Sequence, residues 1–302
     1  MEDKSKFRCG FVTLFGRPNV GKSTLVNALV GEKVSIVSSV PQTTRYLVRA
    51  ILNLPQAQVV FVDVPGFHLF RHKLCHYLNQ AARQALEGID AVVYVVDVSR
   101  MPQREERAIV KILLQQDAPL IMALNKIDLS KRYLSDYLEL WRELAQDKYP
   151  LVKYFIPISA RRGDNLAALQ EALVEILPPQ QAYYPTPDRV DFPLELRIAD
   201  IIREAFFQRL AKEVPHDLAV YVDEISSQND RVYIRAVVYV NRASQKAIVL
   251  GKKGNLIKEV GIRSRPQIEK ILAKKVFLDL KVKILARWSS NLRILRQLGL
   301  NI

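Results

Sequence analysis

The chain has 302 residues, 49% of them apolar, with a formal net charge of +14. That length suits about two domains, and no apolar run approaches the ~18 residues of a membrane span. Cys9 and Cys75 are the only cysteines and the first residues lack the apolar core of a signal peptide, so a soluble, cytoplasmic protein in a reducing compartment is expected.

Residues 8–15 read as a buried strand, 16–21 as a loop and 22–30 as a helix. The loop Gly16-Arg17-Pro18-Asn19-Val20-Gly21-Lys22-Ser23 has the strand–loop–helix setting of a phosphate cradle. Its glycines let backbone N–H groups turn inward, and the helix N-terminus adds its positive end. Lys22 reaches the outer phosphates, Ser23 is a candidate Mg²⁺ ligand, and Thr24 stands near the inner phosphate. Strands are expected at 47–54 and 58–62. The second runs into Asp63-Val64-Pro65-Gly66, whose carboxylate can hold Mg²⁺ and whose Gly66 N–H can meet the terminal phosphate. A helix at 77–86, a strand at 91–96 and a charged helix at 104–116 follow.

The strand at 119–124 ends in Asn125-Lys126-Ile127-Asp128. A carboxylate at Asp128 accepts both donors of the guanine edge and repels adenine, which offers an acceptor there. The Lys126 stem can cover the base, Asn125 can brace neighbouring loops, and Ser159-Ala160 can add a backbone N–H toward the base oxygen. GTP is therefore the expected nucleotide. A helix at 134–147, a strand at 153–157 and a helix at 166–176 complete an α/β pattern with a mostly parallel sheet.

The proline-rich stretch after Pro178 reads as a linker and the expected hinge. Three segments result: 1–178 for the nucleotide domain, 179–191 for the linker and 192–302 for a smaller α+β domain. In the last, a helix is expected at 192–213, a hairpin at 218–225 and 232–240, and helices around Gly251-Lys252-Lys253-Gly254 and on to Leu272. An antiparallel-type strand at 276–285 and a helix at 291–298 close it. Residues 231–302 hold 17 Lys and Arg against three acids, while residues 1–230 carry 28 bases and 28 acids. Such a basic segment points to a polyanion partner. A glycine loop tipped by Lys252 and Lys253, with Lys258, Arg263 and Arg265 nearby, permits close approach of a sugar-phosphate backbone. Of Ile248, Leu250, Leu256 and Ile257, at least half are expected in the core and the rest as a wall for unstacked bases.

Residues 16–24, Thr43-Thr44-Arg45, 63–66, 125–128 and Ser159-Ala160-Arg161 together resemble the motifs of translation-factor-class GTPases. Residues 249–258 resemble a KH RNA-binding module, and the combination is similar to the Era family, bacterial KH-domain GTPases of small ribosomal subunit assembly. The resemblance implies that Thr44 joins Ser23 and Asp63 on Mg²⁺ and that Lys22, Thr44 and Gly66 serve GTP hydrolysis. It places switch regions around 34–46 and 63–80. It implies single-stranded RNA at the 3′ end of the small-subunit rRNA as target rather than DNA, and a peripheral association with the inner face of the cell membrane.

Many GTPases orient the attacking water with a Gln after the DxxG glycine. Phe67 occupies that place and has no donor or acceptor, so slow hydrolysis is expected. A partner could supply the missing group, or a monovalent cation could supply charge near the phosphates with Asn19 as a ligand, since related GTPases with an Asn at this point of the loop use K⁺ in that way. His68, His72 and His76 have helical spacing with Cys75 adjacent, but a solvated helix face is the preferred reading over a metal site. Two other functions remain open. A P-loop metabolic enzyme would leave Asp128 and the basic end unexplained. A constitutive RNA-binding scaffold with a structural nucleotide site would not.

Overall fold

The computed structural model describes residues 7–38, 40, 44–69, 73–146, 151–210, 214–228 and 230–299. Thr43 and His72, and parts of both expected switch regions, lie outside these. The chain divides into two compact units, one of Met1–Ser35 with Thr44–Asp191, the other of Ile36–Thr43 with Phe192–Ile302.

The first unit runs β1 (Arg8–Phe15), α1 (Lys22–Val30), β2 (Val48–Leu54), β3 (Ala57–Asp63), α2 (Lys73–Gln84), β4 (Ala91–Asp97), α3 (Arg104–Leu113), β5 (Leu120–Asn125), α4 (Leu134–Ala145), β6 (Val152–Pro157), α5 (Leu166–Ile176) and β7 (Val190–Asp191). The strand order is β6-β5-β4-β1-β3-β2-β7, antiparallel only where β2 meets β3 and β7. Every residue of β3, β4 and β5 is buried, as expected for strands covered on both faces. Val93 and Val95 face one core, with Leu25 and Leu169, while Val92, Tyr94 and Val96 face the other, with Ile109 and Trp141. Because β1, β3, β4, β5 and β6 run parallel, their carboxyl ends open at one edge, where ligands of such sheets bind.

Residues 179–191, expected to be a linker, are counted in this first unit and are fixed along it. The agent is Gln58, a polar residue in an apolar strand and 1% exposed. Its Oε1 accepts the N–H groups of Tyr183 (2.8 Å) and Tyr184 (3.0 Å). Its Nε2 donates to the Tyr184 carbonyl (2.9 Å) and to Asn53 Oδ1 (2.8 Å). Asp191 accepts from Tyr184 Oη (2.6 Å) and Arg49 (3.1 Å), and β7 pairs with the edge strand β2. Prolines removed N–H donors here but left the carbonyls free to be captured. Gln58→Leu should cost about 2–3 kcal/mol, because it strands two backbone donors, and lower the melting temperature by roughly 5–10 °C. A shift under about 2 °C in a thermal melt would refute that role.

The second unit contains α6 (Leu194–Phe207), β8 (Ala219–Gln228), β9 (Arg231–Val240), α7 (Ala243–Leu250), α8 (Asn255–Leu272), β10 (Lys275–Ile284) and α9 (Leu292–Gln297). The three strands lie in the order β10-β9-β8. β8 and β9 form the expected antiparallel hairpin, but β10 runs parallel to β9, from Lys275 opposite Arg231 to Ile284 opposite Val240. The antiparallel expectation fails because alternation reports one covered face and not direction. The α7–α8 crossover returns the chain to the end at which β9 began, which makes the next strand parallel. Ile198, Phe206, Ile234, Val260 and Ile268 form the core. Trp288 is fully buried, its indole N–H donating to the Asp217 carbonyl at 2.8 Å.

Candidate functional site

The phosphate loop leaves β1 at Phe15 and enters α1 at Lys22. Gly21 caps that helix at φ 107°, a conformation open to glycine, and a Cβ there would strike the Asn125 amide. Asn125 explains this closeness. Its Nδ2 donates to the Val20 carbonyl (2.8 Å) and its Oδ1 accepts the Ala160 N–H (3.0 Å), so one amide staples the phosphate loop to the 159–160 turn. The Ser159 N–H donates to the Asp164 carbonyl at 3.2 Å. The Ser159-Ala160 pair was expected to add one backbone N–H toward the base oxygen, and both of its N–H groups have partners within the protein. What Ser159 offers instead is its hydroxyl, which donates to Asp128 Oδ1 at 2.7 Å and aims that carboxylate.

Lys126 bridges the halves of the site. Its ammonium donates to the Asn19 carbonyl (2.6 Å) and to Asp97 Oδ2 (2.7 Å). The sequence reading missed Asp97, although it ends β4 as Asp63 ends β3 and Asn125 ends β5. Asn19 is exposed in the left-handed region at φ 60°, which Asn tolerates better than most residues.

Lys22 rests on the Gly16 and Arg17 carbonyls at 3.1 and 2.9 Å. It is buried, and burial lowers its pKa to about 8 against the opposing pull of Asp63. The Ser23 hydroxyl donates to Asp63 Oδ2 (2.8 Å) and lies 3.0 Å from Thr44 Oγ1. All three expected Mg²⁺ donors thus converge. Asp63 is fully buried and its pKa is raised by that burial, with Lys22 and Ser23 opposing. Its Oδ1 is buried without a hydrogen-bond partner. A hard cation satisfies both the orphaned oxygen and the buried charge, so this donor set fits Mg²⁺.

After Asp63 the chain passes close to the phosphate loop, where the Phe67 N–H donates to the Gly16 carbonyl at 3.2 Å. The Phe67 ring turns into the core, 4% exposed, 6.2 Å from the Phe15 ring and beneath the Arg83 guanidinium. His68 precedes α2 and its backbone is gripped by Asn79, so it does not share a helix face with His76. No group of three or more His, Cys, Asp or Glu able to hold a metal occurs among the described residues.

In the second unit the glycine loop is a short 3₁₀ turn, Lys252–Gly254, between α7 and α8. Lys252, Lys253, Lys258 and Arg265 are exposed. Arg263 is held by Glu259 at 3.0 Å, an acid that also binds Arg209 at 2.6 Å. Leu250, Leu256 and Ile257 pack against the core, leaving Ile248 exposed (49%) together with Ile262 (55%), which sequence reasoning did not single out.

Comparison with known proteins decides the family. GTPase Era of Geobacter sp. (strain M21) is 40% identical over 298 residues, covering 98% of this chain and 99% of that one. The chain belongs to the Era family of GTPases. Era of Thermotoga maritima is likewise 40% identical over 295 residues, 97% of each chain. A family model described as 50S ribosome-binding GTPase matches residues 11–126, and a KH domain model matches 213–289. A crystal structure of Era in complex with MgGDPNP and nucleotides 1506–1542 of 16S ribosomal RNA superposes with TM-score 0.91 at 33% identity, over 98% of this chain and 100% of that one. A variant of Aquifex aeolicus Era bound to GDP·AlF4⁻ gives TM-score 0.89 at 34% identity, with the same coverage. The fold is thus that of an Era-type protein, a P-loop GTPase domain followed by a KH domain.

Proposed function

We propose that this chain is a GTP-binding, slowly GTP-hydrolysing switch that binds single-stranded rRNA at the 3′ end of the small-subunit RNA and assists 30S subunit assembly. The carrying observation is the convergence of Lys22, the Ser23–Asp63–Thr44 donor set and the Ser159-aimed Asp128 along one sheet edge. The family to which the chain belongs supplies the ribosomal context.

The loop from Gly16 to Ser23, with Thr24, cradles the phosphates. Lys22 leaves its two carbonyls to neutralise them, and Asp128 reads guanine beneath the Lys126 stem. Ile127 stands between those two residues in the base-reading turn. Mg²⁺ held by Ser23, Asp63 and Thr44 would neutralise charge on the outer phosphates. Asp63-Val64-Pro65-Gly66 brings the Gly66 N–H beside the phosphate loop. The Phe67 ring is packed in the core and orients no water, which is why hydrolysis is slow. K⁺ near Asn19 is a further element of this proposal, supported by that side chain's exposure in the loop.

The KH unit holds RNA through the Gly251–Gly254 turn with Lys252 and Lys253, and through Lys258, Arg263 and Arg265. RNA accounts for the basic charge without recourse to a membrane surface, and no helix among the described residues is long and apolar enough to cross a membrane. The test is single-stranded rRNA affinity with a GTP analogue, with GDP and without nucleotide. A clear difference between nucleotide states supports the switch. Equal affinities would leave only a constitutive RNA-binding scaffold, and no RNA binding at all would sink both.

The Lys22 pKa of about 8 sets a pH dependence. Bound phosphates hold Lys22 charged, so its pKa in the complex lies higher. Below about pH 8 it is charged in both states and affinity is full. Above that, binding must take up a proton, and GTP affinity should fall with rising pH, approaching about tenfold per unit. Titrating a fluorescent GTP analogue from about pH 7 to about pH 9.5 checks this. A flat profile, or one that Lys22→Met reproduces, would count against it.

A further inference from the structure

The charged run Arg104-Glu105-Glu106-Arg107 opens the charged helix expected at 104–116, yet Glu106 is 1% exposed. It sits in the first turn of α3, where its carboxylate closes a capping box on Gln103 by accepting that residue's N–H at 3.1 Å. Arg17 Nη1 donates to both Glu106 oxygens at 3.1 Å, and Arg17 Nη2 donates to Gln103 Oε1 at 3.1 Å. Tyr137 of α4 backs the carboxylate with its hydroxyl at 3.4 Å. The Arg17 guanidinium therefore points away from the phosphate position, although it is the first residue after Gly16 in a loop that binds a polyanion.

The Arg17 carbonyl, by contrast, is one of the two resting acceptors of Lys22 (2.9 Å). Burying a carboxylate is costly, and an apolar pair of similar volume would pack at no greater cost. A guanidinium gripped from several directions fixes orientation in a way that apolar contact does not. One residue pair further along, Asp97 holds Lys126 against the Asn19 carbonyl. The phosphate loop is thus gripped at Arg17 by Glu106 of α3 and at Asn19 by Lys126, which Asp97 at the end of β4 holds in place.

We infer that Glu106 is a positioning residue for GTP hydrolysis: through the Arg17 fork it sets the backbone of the phosphate loop on which Lys22 and the incoming phosphates depend. Glu106 touches no nucleotide, so its effect is transmitted. A loop displaced by a fraction of an ångström still binds GDP but aligns the terminal phosphate poorly, so kcat should respond more than KM.

The inference rests on the hydrolysis reading, and the full-length wild-type protein under the same conditions separates the two. If wild type does not turn over GTP, that reading fails. If it does, Glu106→Gln, Arg17→Ala and the double variant are assayed for kcat and KM, with thermal melts to establish folding. We expect each single variant to lose about tenfold in kcat with KM within about threefold, and the double variant to lose no more than the worse single. Glu106→Asp, which restores the charge on a shorter stem, should recover part of the loss. A merely structural role predicts a lower melting temperature with kcat unchanged. Unchanged kcat in Glu106→Gln, or losses that multiply in the double variant, would overturn the inference. Should Glu106→Gln not fold, Arg17→Lys keeps the charge and removes the fork: a roughly tenfold loss in kcat supports the role, and wild-type kcat refutes it.

Discussion

Replacing Asp128 by Asn should weaken GTP binding by about a thousandfold and create affinity for xanthosine triphosphate. The carboxylate faces the two donors of the guanine edge, and hydrogen bonds to a charged group contribute roughly 1.5–3 kcal/mol each. In Asp128→Asn one acceptor remains and the other becomes a donor facing a donor, for a loss of about 4 kcal/mol. Ser159 fixes which is which. Its hydroxyl donates to Asp128 Oδ1 at 2.7 Å and will keep the amide oxygen there, leaving the NH₂ in the Oδ2 position. Xanthine carries a carbonyl where guanine has its amino group, so that NH₂ finds an acceptor. Competition of both triphosphates against a fluorescent nucleotide reads the exchange. A GTP affinity within about tenfold of wild type would show that Asp128 does not read the base.

Gly66→Ala should lower the hydrolysis rate by about a hundredfold while leaving GDP affinity within about threefold. A Cβ on Gly66 would lie 2.5 Å from the Pro18 nitrogen and 2.6 Å from the Pro18 Cα. These are ring and backbone atoms with no rotamer by which to withdraw. The phosphate loop is braced by Asn125 at Val20, by Lys126 at Asn19 and by Glu106 at Arg17, so the Asp63–Gly66 turn must give way. Its retreat strains the Phe67 N–H bond to the Gly16 carbonyl and carries the Gly66 N–H from the terminal phosphate. GDP lacks that phosphate and keeps its other contacts. Single-turnover hydrolysis beside GDP titration separates the two effects, and a rate within about threefold of wild type would refute the close-approach argument.

The strands β3, β4 and β5 were legible because burial on both faces leaves continuous apolar runs, and Asp63 and Asn125 were legible because each ends such a run. Asp97 and Glu106 were not. Asp97 falls just past the strand expected at 91–96 and Glu106 inside a charged helix, and their partners Lys126 and Arg17 are distant in sequence. The direction of β10 was hidden for another reason: Val276-Phe277-Leu278-Asp279-Leu280-Lys281 alternates whichever way its neighbour runs. Of the histidines with helical spacing, His68 lies in the non-helical stretch before α2 while His76 lies within it, so those two share no helix face. The stretch 179–191 had the prolines of a linker, and its anchor, Gln58, showed only as one polar residue inside Ala57–Asp63.

That anchoring determines where the chain can be severed. A nucleotide-binding fragment ended at residue 178, where the prolines begin, would uncover the Gln58 amide and strip β7 from β2, leaving a bare strand edge open to pairing with other molecules. Such a fragment should aggregate, whereas one extended through Asp191 retains both closures and should stay monodisperse. The excisable piece ends with the strap rather than before it.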